Sequence, residues 1–153
     1  MSRVTFRILA AVIMAGLFVS NPVRHLNAVL PALAQQAQTV WDGIYTEEQA
    51  KRGEVIFSDT CATCHGPDLM GIESAPGLTG RDFRSNWDGL SVGDLFDRIR
   101  LAMPKDKPGS MAKQQYADVL AFLLLRSDFP VGKAELASKT ELLKQIQFVA
   151  TKP

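Results

Sequence analysis

The sequence has few residues that bind metals through a thiolate or an imidazole. It contains two cysteines and two histidines in 153 residues, and both cysteines lie within one stretch from Cys61 to His65. Because there is no second cysteine pair and no histidine after His65, a complete four-ligand zinc site lacks ligands. An alternating strand pattern and an internal repeat are also absent. The expected fold class is therefore all-α, built from helices and loops.

The sequence also lacks a strong charge excess and a long hydrophobic run. The formal net charge of +1 provides no basic field for nucleic acid. The apolar run from Ile8 to Val19 has 12 residues, fewer than the roughly 20 that a membrane-spanning helix needs. With 46% hydrophobic and 22% charged residues, the chain is predicted to be globular and to form one domain.

Residues 1–34 have the layout of a secretory signal peptide. Two arginines precede the apolar run, and Ala32-Leu33-Ala34 supplies the small residues of a cleavage site. Cleavage there leaves a domain of residues 35–153 with 14 basic and 16 acidic residues, a formal charge of −2. We therefore expect a periplasmic protein. The alternative is an uncleaved leader that tethers the domain to the inner membrane, because the stretch from Ser20 to Pro31 is long for a signal peptide.

The stretch Cys61-Ala62-Thr63-Cys64-His65 is the attachment motif for c-type haem. Two thiols on one helical turn can add to the two vinyl groups on one edge of the ring, and the adjacent His65 then lies under the iron as a ligand. Three alternatives stay open: a structural disulfide of an exported protein, a thioredoxin-like redox pair and half of a zinc site. The redox pair expects a strand–helix–strand context, which the sequence does not show.

The second axial ligand of the iron is predicted to be a methionine. His25 lies in the predicted leader, so His65 is the one histidine between residues 35 and 153, and a two-histidine haem would need a ligand from a partner. Methionine is the soft donor that remains. Met70 follows the attachment motif too closely to reach the opposite face of the ring.

Met103 and Met111 are therefore the two candidates. Met103 precedes Pro104 in a stretch that also contains Pro108 and is unsuited to regular structure. Prolines stiffen such a loop, and a stiff loop can hold a weak Met–iron bond. Met111 lies near the start of a helical pattern, where core packing is the competing role. Met103 is the favoured ligand.

Helical patterns account for much of the chain after residue 45. Thr46 and Gln49 fit a capping box that opens the first helix, and Ser91 is a candidate cap for the second. Residues 66–80 are rich in glycine and proline and are predicted to form a loop around a cofactor. The helical patterns run from Thr46 towards Cys61, over residues 91–99, over residues 116–124 and, weakly, over residues 134–148.

The pattern Gly53-x-x-x-Phe57-x-x-x-Cys61-x-x-Cys64-His65 resembles the N-terminal helix and attachment site of class I c-type cytochromes. The resemblance implies the small cytochrome c fold, in which helices and loops wrap around one covalently bound haem c and its iron. It also implies that Gly53 and Phe57 pack against a C-terminal helix, here at Val119 and Phe122.

Further roles follow from the same resemblance. Pro76 matches the proline whose carbonyl orients the ligand imidazole, a contact that fixes the histidine tautomer. Leu78 matches the leucine that packs on the ring. Trp87 has two interpretations, core packing and direct contact with the haem.

Three segments also resemble the small cytochromes associated with quinoprotein alcohol dehydrogenases. In that group the methionine before the proline is the iron ligand, and leucine usually takes the place of Met111, which favours Met103. Ala112 departs from the group, which often has a capping serine there. The segments are Trp41 to Tyr45, Met103-Pro104 with Pro108-Gly109-Ser110, and Phe129 to Gly132.

The expected function is that of a periplasmic monohaem c-type cytochrome, an electron carrier rather than an enzyme. Its candidate redox partners are a quinoprotein dehydrogenase and a terminal oxidase, with no role for nucleic acid and contact with a membrane only through an uncleaved leader. The alternative is a cytochrome subunit of a quinoprotein (PQQ) dehydrogenase complex. A gas sensor or peroxidase is a third possibility, and it requires that Met103 does not bind the iron.

Overall fold

The structure, a computed structural model, describes residues 38–73 and 75–153. Within these residues the fold is all-α, as predicted, and extended structure is limited to isolated bridges such as that between Thr39 and Gln147. The predicted signal peptide and its cleavage site lie outside the described residues. The helices in this part of the chain are α1 (Glu47–Thr60), α2 (Ala62–His65), α3 (Gly80–Trp87), α4 (Val92–Ala102), α5 (Lys113–Arg126) and α6 (Thr140–Leu143).

Helices α1 and α5 cross at Gly53. A Cβ atom added to Gly53 would lie 1.9 Å from the backbone oxygen of Asp118 and 2.9 Å from the backbone nitrogen of Val119, so glycine is what permits this approach. One turn further along, the rings of Phe57 and Phe122 pack with their centroids 5.4 Å apart. The contacts implied by the resemblance to class I cytochromes are therefore confirmed.

An ion pair joins the same two helices beside the crossing. The guanidinium of Arg52 on α1 donates two hydrogen bonds of 3.1 Å to the carboxylate of Asp118 on α5. Asp118 is 4% exposed, and Gln114 supplies a further hydrogen bond to its carboxylate. A buried carboxylate needs such partners, and here they align α1 with α5.

The predicted helix caps are confirmed in part. The hydroxyl of Thr46 accepts the N–H of Gln49, and Ser91 and Asp94 form a complete capping box at the start of α4. The prediction that Gln49 reaches back to the Thr46 backbone is wrong. Its buried side chain instead accepts the N–H of Leu136 and donates to the carbonyl of Leu136.

The predicted weak helix over residues 134–148 is also wrong for most of its length, because only α6 is helical there. Beyond α6, the chain satisfies its backbone by pairing with distant segments. The carbonyl of Ile146 accepts the N–H of Val92 at 2.9 Å, and the N–H of Phe148 donates to the carbonyl of Leu90 at 2.8 Å. This C-terminal segment therefore holds the start of α4.

Two of the three resemblance segments contact each other. The rings of Trp41 and Phe129 lie 4.8 Å apart, and the hydroxyl of Tyr45 donates to the carbonyl of Phe129. The N–H of Gly132 donates to the carbonyl of Tyr45 at 2.7 Å. Segments that are far apart in the sequence thus form one layer of the core.

None of the helices among residues 38–73 and 75–153 is long and apolar enough to cross a membrane.

Candidate haem-binding site

The attachment motif occupies the corner between α1 and α2. The N–H groups of Cys64 and His65 both donate to the carbonyl of Cys61, at 3.1 and 3.0 Å, so the two cysteines lie on one helical turn as predicted. Both side chains are free thiols; Cys61 is half-buried and Cys64 is exposed. Burial, with a smaller contribution from Cys64, raises the pKa of the Cys61 thiol to about 11.

The imidazole of His65 is held in one orientation. Its Nδ1 lies 2.8 Å from the carbonyl oxygen of Pro76, as the resemblance implied. Since a carbonyl can only accept, Nδ1 carries the proton, and Nε2 keeps the lone pair that a metal ligand needs. His65 as a whole is 7% exposed. The tautomer of His65 is thus fixed by the backbone.

The loop after α2 returns Pro76 to the histidine. The N–H of Gly71 donates to the carbonyl of His65 at 2.9 Å, and the N–H of Leu78 donates to the carbonyl of Leu69 at 2.8 Å. Gly71 has a φ of +82°, and a Cβ there would lie 2.6 Å from the carbonyl oxygen of Ala75. Residues 66–80 were predicted to form a loop because they are rich in glycine. At position 71 glycine is required, because the chain reverses tightly there.

One cavity of about 1000 Å³ brings the predicted site residues together. Cys61, Cys64, His65 and Met103 all line it. Its volume is at the upper end of the range of about 300–1,000 Å³ for cofactor sites. Met111 is not among the lining residues and packs against the core instead. Apolar side chains form much of the wall: Phe57, Leu78, Phe83, Leu95, Ile99 and Leu123.

Met103 lies where α4 ends and an irregular loop begins. Its N–H donates to the carbonyl of Ile99 at 2.9 Å, which ties it to the last turn of the helix. Residues 103–112 contain no helix or strand, in agreement with the prediction from Pro104 and Pro108. The helix and the loop together bring Met103 to the cavity.

Helix α3 was not predicted, although it contributes Phe83, Asn86 and Trp87 to the cavity wall. Phe83 and Trp87 are four residues apart, and this spacing was the only apolar signal for a helix in the stretch. Trp87 both packs against the core and lines the cavity, so both of its interpretations are compatible with its position.

Outside α1 and α2, the polar residues of the cavity wall are Asn86 on α3, Arg98 on α4, and Lys105 and Asp106 in the loop after α4. Arg98 and Lys105 place positive charge there, and both are exposed. Sequence reasoning did not single out Arg98. Within the described ranges, no group of three His, Cys, Asp or Glu side chains is arranged to hold a bare metal ion.

The part of the chain that contains the site matches a known protein family. The family model described as "Cytochrome C oxidase, cbb3-type, subunit III" matches residues 48–123, which run from α1 into α5 and include all four predicted site residues. The chain belongs to the class I c-type cytochromes. Members of this family transfer electrons and bind haem c covalently. The cytochrome has the all-α fold that is expected for members of this family.

Solved structures also match the cytochrome. One is the "Crystal Structure of the Sulfane Dehydrogenase SoxCD from Paracoccus pantotrophus", with 20% sequence identity and a TM-score of 0.46. The match covers 71% of the cytochrome and 61% of that chain, so the cytochrome spans less than two thirds of its length. No curated protein sequence matches the cytochrome significantly.

The residues of the cytochrome fit a covalently bound haem c. Two unpaired thiols on one turn can form the two thioethers, the free Nε2 of His65 can ligate the iron, and a mostly apolar cavity can take the ring. The thioether sulfur of Met103 is the soft donor in the same cavity.

Proposed function

We propose that this cytochrome is a periplasmic electron carrier with one haem c, attached through Cys61 and Cys64 and ligated by His65 and Met103. The observation that carries the proposal is the cavity of about 1000 Å³ that all four side chains line. In such a carrier the haem supplies an iron that alternates between two oxidation states. No substrate has to be activated, so the proposal needs no general acid, base or nucleophile from the chain.

The chain's own part is to hold the ligands and to exclude water. The Pro76 carbonyl keeps the imidazole of His65 in the tautomer that can ligate, and this bond of 2.8 Å also raises the basicity of the ligand. Apolar walls reduce the access of water to the cavity. Ligand identity, hydrogen bonding and burial are the means by which a protein sets the reduction potential of a haem.

The proposed location and partners follow from the leader and from family likeness. Residues 1–34 support export to the periplasm, with a membrane tether only if the leader is not cleaved. The partners that we propose are a quinoprotein dehydrogenase as electron donor and a terminal oxidase as acceptor. The description of the matching family model, which names an oxidase subunit, supports the acceptor.

A second candidate is a cytochrome subunit of a quinoprotein dehydrogenase complex. It is favoured by the contact between the segments Trp41 to Tyr45 and Phe129 to Gly132, which both resemble the cytochromes of such dehydrogenases. Size-exclusion chromatography of the native protein, with a PQQ-dependent dehydrogenase assay on the fractions, separates the two candidates. A subunit elutes in a stable complex with that activity, whereas a free carrier elutes alone.

The test of the ligand assignment is the visible spectrum of the haem-loaded protein. We expect the ferric protein to show the weak red charge-transfer band of Met–iron coordination. Met103→Ala should abolish the band, whereas the matched control Met111→Leu should keep it. A band that survives in Met103→Ala but not in Met111→Leu would make Met111 the ligand. In a parent protein without the band, the second axial position of the iron would be open or filled by another ligand, and a sensor or peroxidase would replace the carrier as the leading proposal.

A further inference from the structure

Tyr116 makes contacts that core packing alone does not require. Its side chain is completely buried, at 0% exposure, on the first turns of α5. The hydroxyl donates to the backbone carbonyl of Met103 at 2.9 Å. It also accepts the backbone N–H of Met111 at 3.4 Å. One hydroxyl therefore contacts both ends of the loop from Met103 to Met111.

This loop has few other means of holding its shape. Residues 105–110 are exposed. The internal hydrogen bonds of the loop are local turns, such as that from the N–H of Lys107 to the carbonyl of Pro104 at 3.0 Å. The N–H of Gly109 also reaches the Met103 carbonyl, at 3.4 Å, but it belongs to the same loop. The Tyr116 hydroxyl is thus the polar contact that anchors the loop to α5.

The anchor is connected to the attachment site through rigid elements. Helix α5 packs against α1 at Gly53 and Phe57, and α1 leads directly into Cys61. The distance between the two ligand-bearing parts of the chain is therefore set by the α1–α5 pair on one side and by the Tyr116 hydroxyl on the other. A group at such a position controls how firmly a weak axial ligand is held.

We infer that Tyr116 is a positioning residue for the axial methionine. Its hydroxyl fixes the backbone of Met103 and closes the loop behind it, which would keep the thioether in place to ligate the iron of a bound haem. This inference rests on the proposed assignment of Met103 as the ligand. It assigns to Tyr116 a function that its position in an apolar helix face does not indicate.

The experiment measures how readily an added ligand displaces Met103. Imidazole is titrated into the haem-loaded ferric protein, and its dissociation constant is read from the visible spectrum. Tyr116→Phe removes the hydroxyl and with it both hydrogen bonds, of which the one from the Met111 N–H is long at 3.4 Å. This loss should tighten imidazole binding by about fivefold. The matched control is Tyr45→Phe, because Tyr45 is equally buried and its hydroxyl also donates to a backbone carbonyl, that of Phe129.

The outcomes separate three cases. Tighter imidazole binding in Tyr116→Phe and parent-like binding in Tyr45→Phe support the positioning role. Equal tightening in both variants overturns it, because a general loss of stability would then explain the data. No tightening in either variant also overturns it, because the Tyr116 hydroxyl would then have no effect on the ligand. Met103→Ala is measured alongside: if it keeps the red charge-transfer band, the ligand assignment itself is wrong, and the failure lies with the proposed function.

A second variant keeps the inference testable if Tyr116→Phe does not fold. Tyr45 and Tyr116 are the two tyrosines of the chain, so in a Tyr45→Phe background 3-fluorotyrosine enters only at position 116. Fluorination makes the phenol a stronger hydrogen-bond donor without removing it. We expect weaker imidazole binding than in the unfluorinated background. Unchanged or tighter binding would overturn the positioning role.

Discussion

Replacing Gly53 with alanine should separate α1 from α5, and the structure allows the effect to be estimated. The new Cβ would lie 1.9 Å from the Asp118 backbone oxygen, whereas ordinary contacts begin at 3.4 Å, so α5 must retreat by about 1.5 Å. The clash is with backbone, which cannot rotate away as a side chain could. A retreat also stretches the two 3.1 Å hydrogen bonds between Arg52 and Asp118.

The expected loss of stability is about 2 kcal/mol. Overpacking of a well-packed interface costs about 1–3 kcal/mol, and we take the upper end because backbone atoms collide. Alanine regains about 1 kcal/mol over glycine through its better helix propensity. Urea unfolding of the haem-loaded protein measures the difference. The control is Ser58→Ala on the exposed face of α1, which should stay within about 0.5 kcal/mol of the parent.

An equal free energy of unfolding for Gly53→Ala and Ser58→Ala would refute this argument. It would mean that α5 can move without losing contacts, and the glycine would then have no role in packing. A loss of stability in Gly53→Ala, with parent-like stability in Ser58→Ala, is the result that the structure supports.

Two other predictions concern pH and the loss of the haem attachment. Burial raises the pKa of Tyr45 to about 12, above the value of about 10 in an unfolded chain, so the neutral phenol stabilises the fold below pH 10 and this contribution is lost as the pH rises towards 12. Between pH 10 and 12 the parent should therefore lose roughly 2 kcal/mol more unfolding free energy in urea than Tyr45→Phe does; parallel curves would contradict this. The double variant Cys61→Ala, Cys64→Ala should be largely unfolded by far-UV circular dichroism, because a cavity of about 1000 Å³ with apolar walls would be left without the ring. A helical spectrum would argue against that dependence, and Met103→Ala, which keeps both attachment cysteines, is the matched control.

Features that depend on neighbouring residues were predictable from the sequence. The attachment motif from Cys61 to His65, the Ser91 cap and the irregular loop around Met103 each rest on residues within a few positions of one another. The α1–α5 crossing was also predictable, although it is a long-range contact, because the spacing of Gly53 and Phe57 before the motif is specific to a family.

Features that depend on distant partners were not predictable. Gln49 lies in a capping-box pattern, but its side chain bonds to Leu136, 87 residues away. Phe148 lies in a helical pattern, but its backbone pairs with Leu90. The hydroxyl of Tyr116 gave no local signal either, since in an amphipathic helix a tyrosine fits simple core packing. In each of these three examples, a partner outside the local sequence pattern determines the contact that the residue makes.

Two contacts bring the two ends of the domain side by side. They are the bridge between Thr39 and Gln147 and the hydrogen bond from the Trp41 indole to the Val149 carbonyl. A unit with that geometry can be spliced into a surface loop of another protein, or circularly permuted, with only a short linker, because closing the gap between its ends takes little chain entropy. The domain that would bind the haem can in this respect be transferred between proteins as one unit.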